Sequence, residues 1–181
     1  MKITGKVVVY NHDDISTDQI IPGPYGFIKD MKEMATHCLE GADPTLRQRF
    51  ATVGHILVAG KNFGCGSSRE YAVIVLQESG VEAVVIKSAA RIWYRNSVNL
   101  GLPVIFCQTL PESVEEGEEI EIDLHSGKIT EKRTEVVHQG EAPSAFVMDI
   151  YREGGIRPMM RRRAMNKAPV STIRGTEDNG L

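Results

Sequence analysis

The sequence is poor in cysteine. Its 181 residues include three cysteines, Cys38, Cys65 and Cys107, which lie far apart and form no C-x-x-C spacing. Zinc and iron–sulfur sites draw on closely spaced cysteines, so we expect no complete metal site within this chain. An odd number of separated cysteines favours unpaired thiols in a reducing compartment, and we expect Cys38 and Cys107 to be buried thiols of this kind.

Long apolar runs and a strong excess of one charge are also missing. No stretch approaches the roughly 20 apolar residues that span a bilayer, and the first residues lack the apolar segment of a secretory leader. The 21 lysines and arginines against 24 aspartates and glutamates give a net charge of −3, so no nucleic-acid-binding surface is predicted. We therefore expect a cytoplasmic protein that binds neither membrane nor nucleic acid.

Strands and helices are predicted to alternate over residues 6–107. Runs rich in β-branched and apolar residues predict strands at residues 6–10, 55–60, 82–86 and 102–107. Apolar spacing and stop signals predict helices at residues 32–39 and beyond, 69–79 and 89–99. A strand, a helix and a second strand within about thirty residues form a β-α-β unit, whose strands run parallel with a right-handed crossover.

The sequence pattern at residues 119–137 predicts antiparallel strands in addition to the parallel ones. Two alternating segments separated by a turn indicate a surface hairpin there. The predicted fold class is therefore α/β, with a parallel β-α-β core and added antiparallel strands, in one domain over residues 1–163. Residues 164–181 are polar and contain glycine, and we expect them to form a loosely ordered tail unless a partner holds them.

The segment at residues 63–70 carries the side chains best suited to chemistry, where a predicted strand leads into a predicted helix. Gly64 and Gly66 allow a sharp turn that brings backbone N–H groups close to a ligand. The helix start adds partial positive charge, and Arg69 can hold a carboxylate through two parallel hydrogen bonds. The segment therefore predicts a site for a small anion.

A purely structural role is the alternative for the same residues. Ser67 or Ser68 would then cap the helix, and Arg69 would form a surface ion pair. A serine hydroxyl titrates far above neutrality, so Ser67 can act as a base only if its alkoxide is strongly stabilised. Converging N–H groups and an arginine are able to supply that stabilisation. Spacing alone does not decide between the two roles.

Three strings along the chain carry a resemblance to a known family. They read DISTDQIIP at residues 14–22, GKNFGCGSSRE at residues 60–70 and ARIWYRN at residues 90–96. In order and spacing they resemble the hallmark segments of the small subunit of 3-isopropylmalate dehydratase and homoaconitase, which is similar to the C-terminal swivelling domain of aconitase. The resemblance covers roughly residues 1–160 and implies the swivelling β/β/α fold of that domain.

The resemblance implies a role for each of four residues. Ser67 would be the base that removes or returns the carbon-bound proton. Ser68 and Arg69 would bind the substrate carboxylate and stabilise the serine alkoxide. Asp18 would bring an acidic group to the rim of the site, and a turn-stabilising role is the alternative for this residue.

Dehydration also requires a Lewis acid for the leaving hydroxyl. In the family this is a [4Fe–4S] cluster with one open iron position, and this chain lacks the ligands for it. The resemblance therefore implies no cofactor in this chain and a cluster-bearing large subunit as partner, in a heterodimer or heterotetramer. Arg91, Arg95 and Asn96 could face that partner or the substrate, but packing and pairing within their helix is favoured, and no catalytic role is predicted.

The loop at residues 24–28 bears on substrate choice. Family members that act on tricarboxylates carry an arginine shortly after the tyrosine of this loop, and here Tyr25 precedes Gly26, Phe27 and Ile28. An apolar contact suits an isopropyl or similar alkyl group, whereas a carboxylate buried there without a partner would cost several kcal/mol. We expect Phe27 to make this contact, with Ile28 second. Gly26 and Phe27 are unusual for an isopropylmalate enzyme, which keeps other 2-alkylmalates open.

These features predict the small subunit of a heteromeric hydro-lyase that isomerises 2- and 3-isopropylmalate, small dicarboxylates, by dehydration and rehydration in leucine biosynthesis. A homoaconitase or a 2,3-dimethylmalate-type dehydratase is the alternative within the family. An anion-binding module of the same fold, without catalysis, is the alternative from another class. The joint presence of Ser67, Arg69 and Asp18 argues against the module, because binding alone does not need all three.

Overall fold

The computed structural model describes residues 1–165 of the chain. This part contains seven strands and eight α-helices. The strands are β1 (Lys2–Tyr10), β2 (Ile56–Ala59), β3 (Ala83–Ile86), β4 (Val104–Phe106), β5 (Glu119–Asp123), β6 (Lys128–Glu131) and β7 (Val137–Gln139). The helices are α1 (Thr17–Ile20), α2 (Met31–Ala35), α3 (Leu46–Thr52), α4 (Tyr71–Glu78), α5 (Arg91–Leu100), α6 (Leu110–Ser113), α7 (Ala145–Arg152) and α8 (Ile156–Met165). A 3₁₀ helix at Gly23–Phe27 lies between α1 and α2.

The strands form one sheet in the order β4-β3-β2-β1-β5-β6-β7. Strands β1 to β4 run parallel, and β5, β6 and β7 each run antiparallel to their neighbours. β1 joins the two parts, because its residues 7–10 pair with β2 while its residues 2–6 pair with β5. The predicted parallel core with added antiparallel strands is therefore confirmed.

Apolar side chains cover both faces of the parallel strands. On one face, Val8 and Leu57 pack with helices α2 to α4 and with Trp93 of α5. On the other face, Val7 and Ile56 pack with residues of α6 to α8 and of β5 and β6. Every residue of β2 and β3 is buried, which explains why these strands read as continuous apolar runs rather than alternating ones. Because both faces are covered, the carboxyl ends of the parallel strands are the part of the sheet at which a ligand can bind.

Two of the cysteines lie in this core, as predicted. Cys38 packs on the side of α2 to α4 and Cys107 on the opposite side of the sheet. Both are buried, and both are unpaired within residues 1–165. Burial raises the pKa of the Cys38 thiol to about 12, so this thiol stays protonated at neutral pH.

The helices differ from the prediction in extent and number. α2 ends at Ala35, where the Thr36 hydroxyl donates to the Glu33 carbonyl, and turns follow at residues 36–42, with Leu39 at a φ of 60°. Helices α1, α3, α6, α7 and α8 were not predicted from the sequence. α8 extends to Met165, beyond the predicted end of the domain, and the rest of the predicted tail lies outside the described residues. None of the helices among residues 1–165 is long and apolar enough to cross a membrane.

Candidate functional site

The candidate site lies on the loops that follow β1, β2 and β3, at the carboxyl edge of the parallel strands. Strand-like pairing continues into these loops as two isolated bridges, Ser16 with Cys65 and Phe63 with Ala89, and the Thr17 N–H donates to the Cys65 carbonyl at 2.7 Å. The Ala90 N–H donates to the Phe63 carbonyl at 2.8 Å. The three strings of the sequence therefore meet at one place, the edge at which open α/β sheets bind ligands.

Gly64 is required by the geometry of the loop after β2. Its φ of 75° lies in the left-handed region, and a Cβ atom there would stand 2.1 Å from Cγ of the buried Trp93. Its N–H donates to the Ile15 carbonyl at 2.7 Å, which ties the loop to the first string. The predicted turn at a glycine is thus present. Glycine is required here for two reasons, the left-handed backbone conformation and the close approach of Trp93.

Gly64→Ala should lower the free energy of unfolding by about 3 kcal/mol, because a left-handed φ strains alanine and the new Cβ overlaps the Trp93 ring. Urea titration followed by circular dichroism measures the change. Gly23→Ala is the matched control, since a Cβ on Gly23 meets no atom within 4 Å. We expect that control to change stability by less than about 0.5 kcal/mol. Equal stability of Gly64→Ala and the parent would contradict the close approach.

The hydroxyls of Ser67 and Ser68 do not cap a helix, so the structural role considered as the alternative for them is not observed. α4 begins at Tyr71, later than predicted, with Glu70 at the N-cap position and no side-chain cap. The Ser67 N–H instead donates to the hydroxyl of Thr17, the first residue of α1, at 2.9 Å, so this serine is held by a contact outside α4. Ser67 is half-buried and Ser68 exposed, and neither hydroxyl has a hydrogen-bond partner within residues 1–165.

Arg69, in the loop before α4, and Asp18, in α1, form an ion pair. Arg69 Nη1 lies 3.1 Å from Asp18 Oδ1, and the side chains are 31% and 64% exposed. A pair this exposed contributes at most about 1 kcal/mol, so a substrate carboxylate can compete for the guanidinium. The Tyr71 ring centroid lies 5.8 Å from the guanidinium carbon. Asp18 lies in the first turn of α1, whose capping box is formed by Ser16 and Gln19, and its carboxylate accepts no backbone hydrogen bond from residues 1–165.

The loop predicted to contact substrate places its two candidate residues differently. Phe27 is 88% exposed, whereas Ile28 is half-buried and packs against the core. The Tyr25 ring stacks on His37 with 3.6 Å between ring centroids, which holds the loop against the residues after α2. Phe27 is therefore the side chain that is available to a ligand, and Ile28 anchors the loop.

Known proteins resemble this chain over most of its length. Residues 28–109 match the family model described as the aconitase C-terminal domain. The 3-isopropylmalate dehydratase small subunit 1 of Methanopyrus kandleri is 43% identical over 160 residues, which cover 88% of this chain and 93% of that protein. The chain belongs to the 3-isopropylmalate dehydratase small-subunit family.

Comparisons with Methanocaldococcus jannaschii agree with this family. Its isopropylmalate/citramalate isomerase small subunit is 39% identical, over 89% of this chain and 95% of its own length. A crystal structure of 3-isopropylmalate dehydratase from the same organism has a TM-score of 0.81 at 39% identity, covering 91% of this chain and 96% of that one. The predicted fold of the aconitase C-terminal type is therefore confirmed for this small-subunit family member.

α5 contributes a contact that was not predicted from the sequence. Asn96 Nδ2 donates to the Ser68 carbonyl at 3.1 Å, which holds the serine loop of this family member from the side of the third string. The feature of the sequence that could have indicated this contact was the position of Asn96 at the end of the third string. Arg91 and Arg95 are exposed, and neither forms an ion pair with any of residues 1–165, so the pairing favoured for them is not observed.

The cysteines of this family member do not converge on one site. Cys38 and Cys107 lie on opposite faces of the sheet, and Cys65 lies in the site loop with Sγ 3.5 Å from the Asp14 carbonyl oxygen. Among residues 1–165, no group of three or more histidine, cysteine, aspartate or glutamate side chains is arranged to hold a metal ion. These thiols do not fit a [4Fe–4S] cluster, which needs converging thiolates.

A cavity of about 710 Å³ lies away from these residues, among α2, α3 and the end of α4. Its lining carries charges of both signs, from Lys32, Arg47, Glu40 and Glu78, and includes neither serine of the site nor Arg69. Volume alone would favour that cavity as a ligand site. The convergence of the three strings and the charge pair place the candidate site of this small subunit at the loop edge instead.

Proposed function

We propose that this chain is the small subunit of a heteromeric hydro-lyase that isomerises 2- and 3-isopropylmalate in the cytoplasm, in leucine biosynthesis. The observation that carries the proposal is the Arg69–Asp18 pair near Ser67, whose hydroxyl is unengaged in the described part of the chain. The names of the similar subunits from M. kandleri and M. jannaschii support it. Buried unpaired thiols are compatible with a reducing cytoplasm.

Ser67 is the proposed base at the carbon-bound proton. Its Oγ takes the proton from a carbon next to a carboxylate, the electron pair of that C–H bond forms the double bond, and the hydroxyl on the neighbouring carbon leaves. Rehydration reverses these steps with the hydroxyl placed on the other carbon. The guanidinium of Arg69, two residues along the chain, is the positive charge that favours the alkoxide, and this charge acts more strongly because Ser67 is half-buried and water is partly excluded.

Arg69 and Ser68 are the proposed carboxylate-binding residues. The planar guanidinium can form two parallel hydrogen bonds to a carboxylate, and its exposed pair with Asp18 is weak enough to be exchanged. Asp18 remains at the rim and keeps Arg69 oriented between substrates. Phe27 contacts the alkyl group, because it is the exposed apolar side chain of its loop.

A large subunit is the proposed partner that completes the site. A [4Fe–4S] cluster bound to that subunit would supply the Lewis acid for the leaving hydroxyl, since the thiols of this chain do not converge. The exposed position of Ser68 and Phe27 suits a site covered by a second chain. The mass of the purified complex distinguishes a heterodimer from a heterotetramer.

Another 2-alkylmalate is the second candidate substrate. The relative from M. jannaschii is named for both isopropylmalate and citramalate. Apolar contacts discriminate a methylene by about 1–3 kcal/mol, so an exposed Phe27 favours alkyl groups as a class, dimethylmalate included. Homoaconitate is disfavoured, because residues 22–28 offer no cation to its extra carboxylate.

Reconstitution tests the proposal. The chain is mixed anaerobically with a large subunit of the same organism, and turnover of 2-isopropylmalate, citramalate, 2,3-dimethylmalate and homoaconitate is compared. We expect 2-isopropylmalate to have the highest kcat/KM. A complex that forms but turns over none of the four acids would contradict the proposed hydro-lyase activity and favour an anion-binding module without catalysis.

Phe27→Arg should move substrate preference toward tricarboxylates. The new guanidinium would pair with the extra carboxylate of homoaconitate and would remove the apolar contact to the alkyl group. The ratio of kcat/KM for homoaconitate over isopropylmalate should therefore rise about 100-fold. Initial rates with both substrates measure this ratio. Phe27→Leu, which keeps an apolar contact, is the control and should preserve the parent ratio. The same ratio in the parent and in both variants would show that Phe27 does not determine substrate specificity.

A further inference from the structure

Tyr71 lies between the two ends of the proposed substrate site. It is the first residue of α4, and its ring centroid is 5.8 Å from the guanidinium carbon of Arg69. Its hydroxyl oxygen stands 2.7 Å from the point where a Cβ atom on Gly26 would lie. One side chain therefore contacts both the carboxylate-binding arginine and the loop that carries Phe27.

The missing side chain at Gly26 makes this contact possible. Gly26 has no left-handed φ, so backbone conformation does not require glycine there. The nearest atoms to its absent Cβ are the hydroxyl oxygen and Cζ of Tyr71, at 2.7 and 3.2 Å. The neighbouring Tyr25 stacks on His37, whose Nδ1 lies 2.6 Å from Glu40 Oε2. The loop is thus held both by α4 and by the residues after α2, and a shift at Tyr71 reaches Phe27.

We propose that Tyr71 is a positioning residue that sets the spacing between the Arg69 guanidinium and the Phe27 loop, and thereby the size of the alkyl group that fits between them. The inference rests on the proposed function, in which Arg69 holds a carboxylate and Phe27 contacts the alkyl group. When a substrate carboxylate replaces Asp18 at Arg69, the ring still supports the guanidinium through a cation–π contact. Tyr71 acts through these two neighbours and takes no part in the chemistry.

Two substitutions of Tyr71 in the reconstituted enzyme separate its ring from its hydroxyl. Tyr71→Phe keeps the ring under Arg69 and should leave KM for isopropylmalate nearly unchanged. Tyr71→Leu removes the ring and should raise KM about two- to fivefold. This fold-change corresponds to the loss of one partly exposed cation–π contact. We expect kcat to stay close to that of the parent, because the contact supports ground state and transition state alike.

Gly26→Ala supplies the sharper test. Its Cβ would press on the Tyr71 hydroxyl and displace the loop, so KM for isopropylmalate should rise about tenfold. Adding Tyr71→Phe removes the atom at 2.7 Å and leaves the next one at 3.2 Å, so the double variant should recover most of that loss. The preference for isopropylmalate over citramalate should change with Gly26→Ala and return in the double variant.

Tyr94→Leu controls for the loss of an aromatic side chain. Tyr94 is a half-buried tyrosine of α5 that packs on Phe106 with 5.1 Å between ring centroids, and its loss should lower Tm without changing KM. An unchanged KM in Tyr71→Leu, or a double variant as impaired as Gly26→Ala, would overturn the positioning role and leave the proposed function intact. No turnover by the unsubstituted pair would instead overturn the proposed function, and the inference with it.

Discussion

Ser67→Ala should lower kcat of the reconstituted enzyme on isopropylmalate by about 10³-fold and leave KM nearly unchanged. A side-chain base contributes about 10²–10⁴-fold to a proton transfer, whereas other residues hold the substrate. Assembly and Tm should match the parent, because the contact of Ser67 with Thr17 uses the serine backbone N–H and not the hydroxyl. Steady-state kinetics and size-exclusion chromatography measure the two outcomes.

Ser68→Ala is the matched control for that experiment. Ser68 is the neighbouring serine, and its hydroxyl also lacks a partner among residues 1–165. Its proposed role is binding, so we expect a loss of about tenfold that appears mainly in KM. Parent-like activity of Ser67→Ala would show that Ser67 is not the base. A larger kcat loss at Ser68 than at Ser67 would exchange the two roles.

Arg69→Ala should lower kcat/KM for isopropylmalate by about 10²–10³-fold, since removing one partner of a hydrogen-bonded charge pair costs about 2–5 kcal/mol. kcat should fall together with binding, because the serine alkoxide also loses a nearby positive charge. Arg69→Lys keeps the charge but not the planar fork, and we expect it to recover about tenfold. The free energy of unfolding should change by less than about 1 kcal/mol, given that the pair with Asp18 is largely exposed.

Arg49→Ala is the matched control for the arginine variants. Arg49 Nε and Nη2 each lie 2.7 Å from a carboxylate oxygen of Glu116, and Nη2 also donates to the Val9 carbonyl at 2.7 Å. These contacts include none of the proposed site residues, so the substitution should lower stability by about 1–2 kcal/mol and leave kcat/KM unchanged. An equal loss of kcat/KM in the Arg49 and Arg69 variants would point to a global effect instead of a lost carboxylate contact.

The parallel part of the fold could be predicted because its signals are local. β2 and β3 are buried on both faces, so each reads as an unbroken apolar run that ends at a turn. The helix between them shows an apolar stripe, and the handedness rule for crossovers then leaves one arrangement of the unit. Gly64 marks the turn itself, because few other residues adopt its φ.

The short helices could not be predicted in the same way. α3 has seven residues and α6 has four, and helices of this length are marginal without tertiary packing. Leu46 and Phe50 of α3 are buried in the core, which supplies that packing. α7 did carry a signal, since Ser144 caps it and Met148 and Tyr151 lie on one buried face.

Residue identity by itself determined which chemical groups this protein offers. A serine pair, Arg69 and a loop with Phe27 but no arginine can be read from the sequence, because they depend only on which residues are present. So can the spacing of the cysteines, which predicts no cluster site.

Tertiary structure decided which of these groups are available. Thr17 of α1 and Asn96 of α5 contact the serine segment, which lies outside α4, so the Ser67 hydroxyl is not used as a cap. Folding also brings Asp18 to Arg69 and turns Ile28 into the core while Phe27 stays exposed. The physical reason is that these outcomes depend on contacts between residues far apart in the chain, and local propensity carries no information about such contacts.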